Sequence, residues 1–285
     1  MAEHSDSGEP PGSDLYIEYL DNPDTPRGVV VVVHGYAEHS GRYHALAERI
    51  LGAGFSVVLY DHRGFGKSPG RPAYVDRISG LVDDLARVVS ITQRRCPGLP
   101  LILFGHSMGG LVSVLYCLGA QAETSVSPKS PPIHGLILSS ALLRTQEAAF
   151  LQRIATVIGA IAPRLPTVSM DRSAISRDPA VVAEAEADPL NYHGRIPART
   201  GAEFVRGMKR VWKDAHKFDL PLLIIHGTAD RLTDPSGSRD LYTSVSSNHK
   251  QLSLFEGAYH ETFHDADRER VMEGIIDWLE ESVSP

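Results

Sequence analysis

The stretch Leu99-Pro100-Leu101-Ile102-Leu103-Phe104-Gly105-His106-Ser107-Met108-Gly109-Gly110-Leu111-Val112 decides the fold. An apolar run of strand length, Leu99 to Phe104, meets a Gly-x-Ser-x-Gly turn and passes into a helix-compatible run that reaches Leu118. Small residues at Gly105, Gly109 and Gly110 let the turn hold Ser107 in a strained conformation above a sheet and let the helix pack close beneath it. A second Gly-x-Ser-x-Gly match, Gly66-Lys67-Ser68-Pro69-Gly70, has Pro69 inside it and Pro72 just after it, and enters no helix, so it reads as a loop.

Working outward, strand-like and helix-like runs alternate, the pattern of a mainly parallel sheet covered by helices on both faces. Leu15 to Leu20 alternates as an edge strand, whereas Arg27 to Val33 is apolar at nearly every position, as a doubly buried strand must be. A helix from about Tyr43 to Leu51 closes at Gly52 and Gly54, where a left-handed cap favours glycine. Further strands are expected at Phe55 to Tyr60, Ile133 to Leu138, Leu220 to Ile225 and Gln251 to Phe255. Ile78, Leu81, Val82, Leu85, Val88 and Val89 carry helical spacing, and a last helix runs from about Asp267 to Glu281. Between Ser139 and Leu220 about 80 residues carry helical pattern without a convincing strand, which reads as an insertion over the sheet edge. Its first part aligns Phe150, Ile154, Val157, Ile158 and Ile161, either as a helix packed on the core or as a lid whose outer face meets lipid or acyl chain.

Composition narrows the function. The 285 residues are 42% hydrophobic and 22% charged with a formal net charge of −7, a balance that phosphate backbones repel, so nucleic acid is not an expected partner. No apolar run approaches the roughly 20 residues that span a bilayer. Met1 to Asp14 lacks the basic start and apolar core of a secretory signal, and the two cysteines, Cys96 and Cys117, form no disulfide framework, so a cytoplasmic protein is expected. No residue cluster has metal-ligand spacing and no Gly-x-Gly-x-x-Gly follows a strand, so neither metal nor cofactor is expected.

A serine hydroxyl attacks only when a base takes its proton and a carboxylate holds that base in the right tautomer. Asp230, in His226-Gly227-Thr228-Ala229-Asp230, lies beyond the carboxyl end of the strand Leu220 to Ile225. Its competitors are weaker, because Asp234 opens a turn with Pro235 and Asp240 falls within a helical run. His260 follows the next strand in Glu256-Gly257-Ala258-Tyr259-His260, with His264 four residues on; His106 and His226 read as structural neighbours of Ser107 and Asp230. Two backbone donors for a developing oxyanion are expected from Met108 and from Tyr36, in the His34-Gly35-Tyr36 loop after an early strand.

The run His34-Gly35-Tyr36-Ala37-Glu38-His39-Ser40-Gly41-Arg42-Tyr43 resembles the HGxxEHSxRY signature of monoacylglycerol lipases, a branch of the α/β-hydrolase superfamily. Asp61 to Ser68 is similar to that family's DHRGxGxS loop, which accounts for the second serine match. Gly105 to Gly110 reads GHSMGG, Gly227 to Arg231 looks like the GxADR acid turn, and Gly257 to His260 looks like the GAYH turn. Asp188-Pro189-Leu190 looks like a family tripeptide in the insertion. The bulky Tyr36 and the Glu261-Thr262-Phe263 that follows His260 depart from the family pattern.

The resemblance implies an α/β-hydrolase fold, with a mostly parallel central sheet flanked by helices and interrupted by a helical cap. Residues 1–13 would be a disordered N-terminus, 14–140 and 219–285 the hydrolase core, and 141–218 the cap. The implied activity is hydrolysis of a monoacylglycerol to fatty acid and glycerol through an acyl-enzyme on Ser107, with the cap over the acyl chain and in peripheral contact with the membrane. Glu38 and Arg42 would contribute to the glycerol end or, alternatively, form an ion pair that pins the loop carrying Tyr36. The rival readings are a carboxylesterase or lysophospholipase with the same triad, and a non-catalytic binding protein on the same fold.

Overall fold

The computed structural model describes residues 15–119, 133–145 and 149–282, and for 149–153 and 155 the backbone alone. The expected fraying of residues 1–13 and the side chain of Phe150 therefore lie outside the described residues. Among the described residues seven strands form one sheet: β1 (Ile17–Leu20), β2 (Val29–Val33), β3 (Ser56–Tyr60), β4 (Leu101–His106), β5 (Gly135–Ser139), β6 (Leu222–Gly227) and β7 (Lys250–Phe255). Their order is β1-β3-β2-β4-β5-β6-β7. Strand β1 runs antiparallel to β3, and every other pairing is parallel. The six parallel strands thus deliver their carboxyl ends to one edge. The chain lays β3 on one side of β2 and then β4 on the other, so the topological switch point, where open α/β sheets bind ligands, falls between β2 and β4.

Burial follows position in the sheet. The central strand β2 is entirely buried, whereas the edge strands β1 and β7 are largely half-buried. Alternate residues feed two apolar layers. Val29, Val31, Val33, Leu101, Leu103, Leu136 and Leu138 face α2 (Ile78–Arg95) and α3 (Met108–Cys117). Val30, Val32, Ile102, Phe104, Ile137 and Ile225 face α1 (His44–Gly52) and α8 (Arg268–Ser282). Helix α1 ends at Gly52, and the left-handed residue that turns the chain into β3 is Gly54, at φ +87.

Between β5 and β6 the chain forms α4 (Ala149–Ile161), α5 (Pro179–Ala187), α6 (Ala198–Asp214) and short 3-10 turns; helix α7 (Pro235–Ser244) follows β6. The one strand-like feature of that segment among the described residues is an isolated bridge between Pro166 and Pro197. Helix α6 belongs to the core, since Phe204, Val205, Met208 and Val211 join the α2/α3 layer. Helix α4 docks on α6 at Gly159, where an added Cβ would meet the Cβ of Ala202 at 2.6 Å. Three of its described aliphatic residues face out: Ile154 is 39%, Val157 57% and Ile161 80% exposed. The aliphatic stripe read from the sequence therefore includes residues that face away from the core, and only Ile158 of its described members is half-buried. No helix among the described residues is long and apolar enough to cross a membrane, and Cys96 and Cys117 are free thiols.

Candidate active site

Strand β4 ends at His106 and α3 begins at Met108, so the chain reverses on one residue, Ser107 (φ 52, ψ −118). A side chain in that region costs about 1–3 kcal/mol, and the surroundings hold it there. The Ser107 N–H donates to the Ser139 carbonyl at 3.0 Å, and its own carbonyl accepts from Leu111 (3.2 Å) and Leu142 (2.9 Å). His106 is tied off beside it, with Nδ1 3.0 Å from the Ser139 carbonyl. Burial, together with the adjacent His260, pushes the His106 imidazole down to about 4, so it is neutral at pH 7.

Asp230 lies past the carboxyl end of β6 and is fully engaged. Its Oδ1 accepts the N–H groups of Leu232 (2.8 Å) and Thr233 (3.0 Å). Its Oδ2 stands 2.7 Å from His260 Nδ1, accepts the Thr233 hydroxyl at 2.7 Å, and is 3.0 Å from His226 Nε2. Burial alone would raise this carboxyl, yet the two imidazoles hold it well below the usual carboxylate range. An ionised Asp230 can only accept, so His260 carries its proton on Nδ1 and keeps Nε2 as the basic nitrogen. Burial lowers the His260 imidazole, but the charges of Asp230, Glu261 and Glu38 outweigh it, and its pKa is raised.

Ser107, His260, Gly35 and Tyr36 line one pocket at the switch point. The competitors lie elsewhere: Asp234 caps α7 through the Ser236 N–H (2.8 Å), Asp240 pairs with Arg144 (2.6 Å), and His264 donates to Glu261 (3.0 Å). Ser68 is a structural link, donating to the Asp61 carbonyl at 2.6 Å and accepting the Tyr16 N–H at 2.9 Å. Met108 is the first residue of α3, where helical amides lack intrahelical acceptors and the dipole favours negative charge. The bulk of Tyr36 turns into the core: its hydroxyl donates to the Ala73 carbonyl (3.2 Å), and its ring meets Phe65 and Phe204 edge-on.

Glu38 and Arg42 do form the ion pair, at 3.1 Å. Sequence reasoning missed other residues on the pocket wall. Met170, Arg172, Ile175, Ala185 and Asn191 come from the segment between β5 and β6, so that segment supplies part of the pocket lining. It is fastened to the His34 to Tyr43 loop by His39 Nε2 on Asp188 (2.8 Å) and by the Tyr192 N–H on the Ala37 carbonyl (3.1 Å). The lining is mixed, with apolar Met170, Ile175 and Ala185 beside polar Glu38, Arg42, Arg172, Asn191 and Glu261. No pattern in the sequence marks Arg172 or Asn191. Among the described residues, no group of three or more His, Cys, Asp or Glu side chains is placed to hold a metal ion.

The family described as serine aminopeptidase, S33 matches residues 24–267. The chain is 37% identical over 260 residues, 90% of each sequence, to a monoacylglycerol lipase of Mycolicibacterium smegmatis. It is 32% identical to the monoglyceride lipase of Homo sapiens over 87% of this chain and 80% of that one. Among solved structures, the monoacylglycerol lipase of Paleococcus ferrophilus superposes with a TM-score of 0.80 at 35% identity, covering 94% of this chain and 99% of that one. A soluble variant of the Saccharomyces cerevisiae monoglyceride lipase, in complex with a substrate analogue, gives a TM-score of 0.82 at 25% identity, covering 95% and 94%.

Proposed function

The chain belongs to the monoacylglycerol lipase family of α/β-hydrolases, within the wider serine aminopeptidase S33 grouping, and from that premise we propose that it hydrolyses monoacylglycerols to fatty acid and glycerol. The observation that carries the reading is a strained serine and a carboxylate-held histidine opening on one pocket whose lining mixes apolar and polar side chains. In this reading Ser107 Oγ attacks the ester carbonyl and His260 Nε2 takes its proton. Asp230 holds the imidazolium, and the Tyr36 and Met108 amides receive the oxyanion. His260 then returns the proton to the departing glycerol oxygen, and a water, activated in the same way, cleaves the acyl-enzyme.

Peptide hydrolysis is the weaker reading, because an aminopeptidase needs a free carboxylate for the substrate's ammonium group. Both carboxylates of this wall, Glu38 and Glu261, are already engaged by Arg42. Steady-state kinetics on 1- and 2-monoacylglycerols, p-nitrophenyl butyrate, lysophosphatidylcholine and an aminoacyl anilide test the reading. The monoacylglycerols are expected to give the highest kcat/KM and the anilide none. Turnover of the butyrate without the glycerides would replace the lipase by a carboxylesterase, and preference for the lysolipid would make it a lysophospholipase.

The segment 141–218 would act as the cap and would reach a membrane through its outer face. Ile154, Val157, Ile161, Leu165 (49% exposed) and Val168 (65% exposed) form an apolar strip of the kind that soluble surfaces seldom leave uncovered. The paired substitutions Val157→Asp and Ile161→Asp should weaken co-sedimentation with phosphatidylcholine vesicles by about 10-fold or more, given ~1.5–3 kcal/mol per buried aliphatic side chain. The melting temperature should stay where it was, and equal vesicle binding by both proteins would refute the contact. A cytoplasmic setting accords with the two free thiols.

A further inference from the structure

Two segments more than two hundred residues apart meet in the pocket wall through one guanidinium. Glu38 Oε1 accepts the Gly35 N–H at 2.6 Å and the Tyr43 hydroxyl at 2.7 Å, and its Oε2 accepts Arg42 Nη1 at 3.1 Å. The fork of Arg42 closes on Glu261, Nη1 to Oε1 at 2.5 Å and Nη2 to Oε2 at 2.8 Å, and Glu261 also accepts His264 Nδ1 at 3.0 Å. Glu38 and Glu261 are buried, and the Arg42 side chain is 11% exposed. Such a buried triad is weak evidence for stability, since apolar residues of the same volume commonly hold a core as well or better. Its position suggests another use. One end grips the turn Gly35-Tyr36-Ala37, where Ala37 sits at φ 64, and the other end is the residue next to His260.

We infer that Glu38, Arg42 and Glu261 are positioning residues for the hydrolysis proposed above, a bridge that holds the turn carrying the Tyr36 amide at a set distance from the turn carrying His260. The inference rests on that reading of the pocket. Holding donor and base in register matters because a misplacement of about 1 Å can cost about 10²-fold in rate. The bridge also places fixed charge near the base. His260 is faced by Asp230 at 2.7 Å, by the neutral His106 ring at a centroid distance of 4.7 Å, by the Thr233 hydroxyl at 3.4 Å, and by the charges of Glu261 and Glu38. Removing a negative charge from this set disfavours the imidazolium, so the acid limb of kcat/KM must move to lower pH.

The test uses p-nitrophenyl butyrate, so that the identity of the natural ester does not enter. Glu261→Gln is expected to lower kcat by about 10- to 100-fold with KM changed less than about 3-fold, and to shift the acid limb downward by about half a pH unit. Arg42→Lys keeps the charge but cannot fork onto two carboxylates, so it should lose kcat and leave the limb in place. Glu38→Gln, whose charge is lost from the opposite end of the bridge, is the second variant should Glu261→Gln fail to fold, and its limb should move the same way. Wild-type kcat and an unmoved limb in Glu261→Gln overturn this inference alone. Loss of activity that tracks a fall in melting temperature, with the limb unmoved in both Gln variants, also overturns it and leaves the bridge structural. A wild-type chain that turns over no ester overturns this inference together with the reading on which it rests.

Discussion

Ser107→Ala is expected to lower kcat for ester hydrolysis by about 10⁴- to 10⁶-fold while the protein stays folded. The substitution removes the one oxygen that would form the acyl bond. The pocket, the Asp230–His260 pair and the backbone donors remain, and these account for whatever rate persists above the uncatalysed reaction. Alanine keeps the Cβ that makes φ 52 costly, so the melting temperature should hardly move. Glycine at the same position removes that cost, and Ser107→Gly should be as inactive as the alanine variant yet more stable by about 1 kcal/mol, the strain relieved less the entropy that glycine loses on folding. Rates on p-nitrophenyl butyrate, thermal melts and labelling by a fluorophosphonate together check the result. Turnover in Ser107→Ala, with the label appearing on another residue, would remove Ser107 from the nucleophile's place.

The contrast between the residues of this site and those around it explains what could be read in advance. Ser107, Asp230 and His260 each follow the carboxyl end of an apolar run, and a parallel sheet brings such positions to one edge whatever the order of its strands. The order itself, β1-β3-β2-β4, is set by pairing between distant segments, and nothing local in Val29–Val33 or Leu101–His106 announces it. Strand β4 runs two residues past the Phe104 expected from hydropathy, because His106 satisfies its ring against Ser139 and so enters the sheet without being apolar. Glu38 and Arg42 are four residues apart and open to reading as an ion pair from the sequence alone. Its continuation to Glu261 required the fold to bring 42 and 261 together.

Helix α4 shows the same limit in another form. Hydrophobic period locates an apolar face, but the period is the same whether that face meets the protein's core, a lipid or an acyl chain. Here Gly159 takes the docking side against Ala198 and Ala202, and Ile154, Val157 and Ile161 are left outside. Small residues allow close helix approach, so in this segment the glycine was the better guide to the inner face than the isoleucines.

Gly109→Ala is expected to cost both fold and activity. A Cβ at this position would lie 1.9 Å from the Val33 carbonyl oxygen and 2.5 Å from that of His34, both backbone atoms of the central strand and the loop after it. Neither can swing aside as a side chain would, so α3 would have to withdraw by about 1 Å in an interior that has no slack. Overpacking of this kind costs about 3 kcal/mol, which for a chain of this size is a fall of roughly 6–12 °C in melting temperature. Withdrawal of α3 carries Ser107 and the Met108 amide away from the Tyr36 turn, which should reduce kcat/KM by about 10²-fold or more even where the protein remains folded. Gly201→Ala is the matching control. That glycine lies in α6 with nothing within 4 Å of its missing Cβ, so alanine should raise stability by about 0.5–1 kcal/mol through helix propensity alone and leave the rate as it was. Thermal melts and p-nitrophenyl butyrate kinetics on the two variants should therefore move in opposite directions in stability. A Gly109→Ala protein with wild-type melting temperature and rate would mean that α3 is not held against β2 at this contact, and that the serine turn is positioned from the Ser139 and Leu142 side instead.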